Sequence, residues 1–255
     1  NGQDGGLGAY MSGEFSVNPG DQFQILVGQE GGVDPDGGIH SSGGGGGSFV
    51  VDMSNNPLII SGGGGGTNGI PLSGSQDAGT SEYGQDGLSP SHPQNYGEGG
   101  LPGYGATNGP VSPCAGNGGG LLTDGEMETC CGGSAGIAFV NGGAAVPVGG
   151  CGTQSPGGFG GGGAGGSHGA GGGGGYSGGG ANYHYGGNGG GGGSYNVGAN
   201  QNNIAASNFG NGLVVISYDV SGVPGCGCTD SIAYNYNPTA IVDDSSCVYA
   251  GCTDS

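Results

Sequence analysis

A chain of 255 residues with 76 glycines, 19 acidic residues, no lysine and no arginine carries a formal charge of −19. That balance excludes nucleic-acid binding by phosphate neutralisation, attraction to an anionic membrane surface, and catalysis by a P-loop lysine, an arginine finger or a Schiff-base lysine. The glycines come in runs with only 13 prolines, which excludes collagen, and a chain only 7% charged with clear Val/Ile/Phe/Tyr runs argues against plain disorder.

In chain order, Phe15-Ser-Val17, the turn Asn18-Pro-Gly-Asp21 and Gln22 to Val27 predict a first hairpin. A second is predicted in "GGGGGSFVVDMSNNPLIISGGGGG" (residues 43–66), where Phe49-Val50-Val51 and Leu58-Ile59-Ile60 flank a Ser-Asn-Asn-Pro turn. Residues 71–113 turn polar, with scattered Pro, Tyr, Asp and Glu, and read as one long surface insertion. Short apolar pieces follow at 136–140 and 144–148, and residues 157–200 hold the densest glycine. "GLVVISY" (residues 212–218) predicts a strand, and no amphipathic helix is evident, since each glycine costs a helix about 1 kcal/mol. The fold class expected is all-β.

The glycine runs are either linkers or structure. Linkers mix Ser and charge with Gly, whereas here strands abut glycine runs with no polar spacer. Glycine can take an extended conformation of three residues per turn with no internal hydrogen bonds, so its N–H and C=O groups point outward to neighbouring chains. The expectation is an ordered bundle of such polyglycine-II helices, anchored by the β-strands because glycine loses the most entropy on ordering.

Eight cysteines fall in two groups: Cys114, Cys130, Cys131 and Cys151, then Cys226, Cys228, Cys247 and Cys252. No zinc-type spacing occurs, so they read as disulfides in an oxidising, extracellular or cell-surface setting. Three pairings are open to the first four. No apolar run is long enough to span a bilayer. The chain opens on Asn1 without a signal peptide and is expected to be processed or a fragment.

No catalytic residues are expected. Gly132-Gly-Ser134-Ala-Gly136 matches a nucleophile-elbow pattern, but such matches arise by chance at this glycine content. His40, His92, His168 and His184 are scattered, without metal-ligand spacing. The tyrosines are the binding-surface candidates: Tyr83, Tyr96 and Tyr104 in the polar stretch, Tyr176, Tyr183, Tyr185 and Tyr195 among the glycines. Tyrosine among Gly, Ser and Asn suits adaptable binding loops; the plainer reading is rings packed as lids over the bundle.

The stretch at 43–66, with "GGGGGYSGG", "GGGGGSYN" and "GNGLVVISY", resembles the glycine-rich domain of the leukocyte and anaplastic receptor tyrosine kinases and many secreted bacterial glycine-rich proteins. The resemblance covers roughly residues 8–220. It implies a β-sandwich of tumour-necrosis-factor-like type beside a hexagonal polyglycine-II bundle, within a domain of residues 1–222. Bacteriophage receptor-binding tips also use such bundles. The receptors carry basic residues and a kinase, and this chain shows neither, so hormone binding is not carried over.

"GCTDSIAYNYNPTAIVDDSSCVYA" (residues 227–250) is followed by "GCTDS" (residues 251–255), the start of another copy at a period of 24 from Cys228 to Cys252. It resembles the GCTD…NYNP…DDGSC repeats of secreted Bacteroidota adhesins exported by the type IX system, with Ser245 in place of the usual glycine. The second module therefore spans 225–250. The resemblance implies a Cys228–Cys247 disulfide and a small calcium staple drawing on Asp230, Asn235, Asn237, Asp243 and Asp244; Asx turns without a metal are the plainer reading. The function expected is a structural or adhesive module of a large surface protein, contacting a glycan, a protein receptor or other subunits of a surface assembly. The alternative is a phage-like receptor-binding tip that uses loops between glycine helices.

Overall fold

The computed structural model describes residues 5–33, 41–68, 76–111, 113–127, 133–147, 155–183, 186–218 and 225–249. The chain divides into two compact units, Asn1–Val214 and Val215–Ser255. It is all-β: the described residues hold short strands and one 3₁₀ turn, Phe139–Asn141. Numbered in chain order, β1 (Gly8–Glu14) pairs antiparallel with β10 (Ala199–Asn208). β2 (Phe23–Leu26), β3 (Ser48–Asp52), β4 (Pro57–Ser61) and β9 (Tyr195–Asn196) form a second antiparallel sheet in that order. Two-residue pairs join β5 (Thr67–Asn68) to β8 (Gly187–Asn188) and β6 (Gly97–Glu98) to β7 (Thr107–Asn108). In the second unit β11 (Cys226–Gly227) lies parallel to β12 (Val242–Asp243).

The β3–β4 hairpin forms as its residues dictate. Phe49 faces Ile60 across the pair, and both are buried with Val51, Leu26 and Leu121. Phe139, Phe159, Tyr176 and Tyr195 pack against this core, Phe139 stacked on Phe49 at 5.0 Å. In the turn, Asp52 takes backbone N–H groups of Ser54 and Asn56 and the Asn56 side-chain amide. The Asn56 amide, and then the backbone bonds, hold the Asp52 carboxyl below its usual range.

The glycine runs are buried and carry a regular backbone lattice without being strands. In residues 170–176, successive N–H groups donate in three directions. Gly171 and Gly174 reach Ser42 and Gly45; Gly172 and Gly175 reach Gly116 and Gly119; Gly173 and Tyr176 reach Gly190 and Gly193. The carbonyls of the same run accept from three further segments, through Gly63 and Gly66, Gly163, and Gly179 and Asn182. Six neighbours thus surround one run, and the direction repeats every third residue. Residues 42–47 follow the same rule: Ser42 and Gly45 donate to Thr67 and Gly64, Gly43 and Gly46 to Gly32 and Gln29, Gly44 and Gly47 to Gly163 and Gly160.

This lattice carries the fold. Burying a large apolar side chain contributes roughly 1.5–3 kcal/mol, and only a handful are buried. Ordering each backbone residue costs about 1–2 kcal/mol, so the small core cannot hold the first unit alone. Buried polar side chains complete the lattice where a backbone partner is missing. Asn117 Oδ1 accepts from Ala181 N at 2.8 Å while its amide donates to Asn108 and to the Glu126 carbonyl. Ser194 Oγ accepts from Gly62 N and donates to the Gly79 carbonyl.

Three expectations are corrected. The first hairpin does not form: Asn18–Asp21 is a turn with Gly20 at φ 99°, but β1 pairs with β10 and β2 with β3, because Phe49 gives Leu26 a buried partner. Residues 212–218 are not a strand; Leu213, Val215, Ile216 and Tyr218 lie exposed and only Gly212 bonds back, to Gly28. The polar stretch 71–113 is not a surface excursion where it is described. Gly84, Gln85, Gly87 and Leu88 donate into the runs at 97–100 and 188–191, and Gly97 and Gly100 into 178–181, so its glycines extend the lattice.

Candidate binding surface

Successive glycine segments run to and from the sheet, and the turns at its end gather. Leu122 N donates to the Gly103 carbonyl, Leu121 N to that of Tyr176, and Val140 N to that of Leu121. Ser177 Oγ ties its own turn to two others: it accepts from Gly103 N, and its single hydroxyl proton lies between the carbonyls of Glu82 and Leu101. On their outer side Tyr83, Leu101, Tyr104 and Leu122 are exposed. Glu82 and Asp124 are exposed in the same turns, Asp124 accepting from Ala138 N and the Asn141 amide. The result is an aromatic and apolar surface edged with carboxylates and backed by a hydrogen-bonded floor.

The candidate tyrosines therefore separate. Tyr83 and Tyr104 face outward on this surface. Tyr176 and Tyr195 are the lids: their rings pair at 4.6 Å against the apolar core. Burial, and then the Glu82 charge and Tyr195, raise the Tyr176 hydroxyl above its usual range. Tyr96 belongs to another region, an open depression of about 350 Å³ that also includes Asp86, Leu88 and Pro93. Tyr183 meets His92 edge-on at 5.4 Å. Tyr185, His40 and His184 lie outside the described residues. Leu101, Leu122 and Ser177 were not marked by sequence. Their only signal is position, each interrupting a glycine-rich segment where the chain turns.

Cys228 and Cys247 form a disulfide, compatible with an oxidising environment. Cys114 is disulfide-bonded, while Cys130, Cys131 and Cys151 lie outside the described residues. Cys226 is a free thiol. No helix among the described residues is long and apolar enough to cross a membrane.

In the second unit the five residues expected to hold calcium each accept a backbone N–H. Asp230 Oδ1 takes Ile232, Asn235 Oδ1 takes Val248, Asn237 Oδ1 takes Thr239, Asp243 Oδ1 takes Ser245 and Asp244 Oδ1 takes Ser246. Asp230 Oδ2 also accepts the Tyr249 hydroxyl at 2.7 Å. Among the described residues no three His, Cys, Asp or Glu side chains gather as a metal would need. Asp230, Asn237, Asp243 and Asp244 each accept the N–H two residues on, as in an Asx turn, whereas Asn235 reaches across to Val248. Ser134 lies within the lattice, its carbonyl accepting from Ala164 N.

A comparison with models of known protein families and with curated protein sequences finds no match.

Proposed function

We propose that the chain is a structural and adhesive module of a larger secreted or surface protein. Its first unit is read as a tumour-necrosis-factor-like β-sandwich fused to a polyglycine-II bundle, its second as one member of a cysteine-repeat array. The observation that carries this reading is the three-residue rotation of hydrogen bonds around residues 170–176, with six neighbouring segments. That is the period of a polyglycine-II helix, and it makes a stiff body from a chain with little apolar core. The resemblance to receptor glycine-rich domains and to Bacteroidota adhesins points the same way.

Hydrogen exchange over residues 157–200 tests the bundle. Slow exchange throughout the buried runs is expected; exchange at random-coil rates there would sink the reading.

The alternative, a receptor-binding tip, is favoured by one feature: Tyr83, Leu101, Tyr104 and Leu122 lie exposed on turns between glycine segments. Beads carrying the chain should be retained on a receptor-bearing cell surface, and the double variant Tyr83→Ala/Tyr104→Ala should reduce retention at least tenfold. Equal retention by the variant would remove this surface from the adhesive role.

A further inference from the structure

We infer that the chain associates with a second copy of itself by strand addition, residues 213–218 of one copy lying along the open edge of β2 in the other. Leu213, Val215, Ile216 and Tyr218 are 77%, 78%, 60% and 79% exposed. The run is built of β-branched and aromatic residues, the composition of a strand, and yet nothing among the described residues pairs with it. A strand-forming run left with unpaired N–H and C=O groups is a ready donor of strand pairing.

The same chain supplies the acceptor. β2 stands at the end of its sheet with β3 as its one strand neighbour. Ile25 is exposed on it and Val27 just past its end, before Gly28, whose carbonyl accepts from Gly212 of the same chain and leaves residues 23–27 as the open edge. Main-chain rungs along this edge would supply affinity and the side chains of residues 213–218 the apolar contact, as in other strand-addition complexes.

Charge selects the occupant. The chain carries −19 and not one lysine or arginine, so two copies repel wherever their acidic surfaces meet. Residues 22–29 and 205–218 contain no Asp or Glu. Donor and acceptor are therefore charge-free stretches on an otherwise acidic molecule. A basic partner would be drawn to the carboxylates, not to these two. Reciprocal addition uses both copies alike and closes a dimer.

Sedimentation equilibrium of the whole chain tests this. The expected mass exceeds the 23.8 kDa of one copy and rises with added salt, because screening weakens the repulsion and leaves the uncharged contact intact. Ile216→Pro, which removes a rung from the donor, and Ile25→Glu, which places a charge on the acceptor, should each return the mass to that of one copy. Unchanged hydrogen-exchange protection over residues 170–176 would show that both variants keep the fold. A single-copy mass at every concentration and salt level, or association unaltered in both folded variants, would overturn the proposal.

Discussion

Gly173 lies so close to Gly63 that a methyl group on its α-carbon would fall on the Gly63 carbonyl oxygen. Gly63 in turn donates to Gly174, so the two runs are fixed to each other and neither can give way. Gly173→Ala is therefore expected to destabilise the first unit by about 3 kcal/mol, the upper range for overpacking, since backbone and not a side chain must move. Ala170, in the same run and fully buried, already accommodates its methyl group. Ala170→Gly should cost only about 1 kcal/mol, through the added freedom of the unfolded chain. Denaturant midpoints of the two variants check the contrast.

Asn117 Oδ1 stands where a backbone carbonyl would otherwise receive Ala181 N, and the residue is wholly buried. Asn117→Ala strands that N–H and removes the bonds to Asn108 and Glu126. An unsatisfied buried donor costs about 1–3 kcal/mol, and the two lost bonds add to it. The expected loss is about 3 kcal/mol, with faster exchange of the Ala181 amide as its local signature. Exchange at the parent rate would show that the amide side chain is not a strut.

How far these features were legible in the sequence depends on where the information lies. The β3–β4 hairpin was legible because apolar residues and a turn are adjacent in the chain. The burial of the glycine runs was legible from their direct contact with strands. β10 was not, because "ANQNNIAASN" has almost no strand-forming residue; its pairing with β1 is supported by side-chain amides, Asn196 of β9 to Asn203 and Asn200 to Glu14. The turn surface was half legible. Tyr83 and Tyr104 announce themselves by type, but Leu101 and Leu122 join them only through the lattice register. A glycine run has no side-chain pattern from which its neighbours can be read.

Ser245 adopts φ 60°, a left-handed conformation that costs a residue with a Cβ roughly 1–2 kcal/mol. It sits between Asp243, which accepts its N–H, and the disulfide residue Cys247. Ser245→Gly is expected to stabilise the unit by about 0.5–1 kcal/mol, the relief of strain exceeding the entropy glycine adds to the unfolded chain. A lower melting temperature in the variant would contradict this.

In the second unit one side-chain oxygen of each of Asp230, Asn235, Asn237, Asp243 and Asp244 already accepts a backbone N–H, and these bonds hold the turns in the unit as it stands. Adding calcium, or EDTA, is expected to leave exchange protection over residues 225–249 unchanged. Protection that rises with calcium and falls with EDTA would show that a cation displaces the turn bonds.

The hydrogen bond from Tyr249 to Asp230 sets a pH window for the same unit. The Asp230 carboxyl lies below its ordinary 3.8, first because it accepts Ile232 N–H and then because it accepts the Tyr249 hydroxyl. Tyr249 lies above its ordinary 10.0, first because it donates to Asp230, then through desolvation and the charges of Asp230 and Asp243. For Asp230 the depressed folded value means a contribution present above its unfolded pKa and lost as pH falls through the folded one. For Tyr249 the raised value means a contribution present below about 10 and lost as pH rises through the folded value. The unit should thus be most stable between these limits and weaken at both extremes. Tyr249→Phe should abolish the alkaline loss and only soften the acid one, because Ile232 still holds Asp230. Tyr249 is exposed and Asp230 half-buried, so salt should shrink the charge part of each effect and leave the hydrogen-bonded part. Thermal melts of parent and variant across the pH range check it, and an alkaline loss that persists in Tyr249→Phe would assign it to another group.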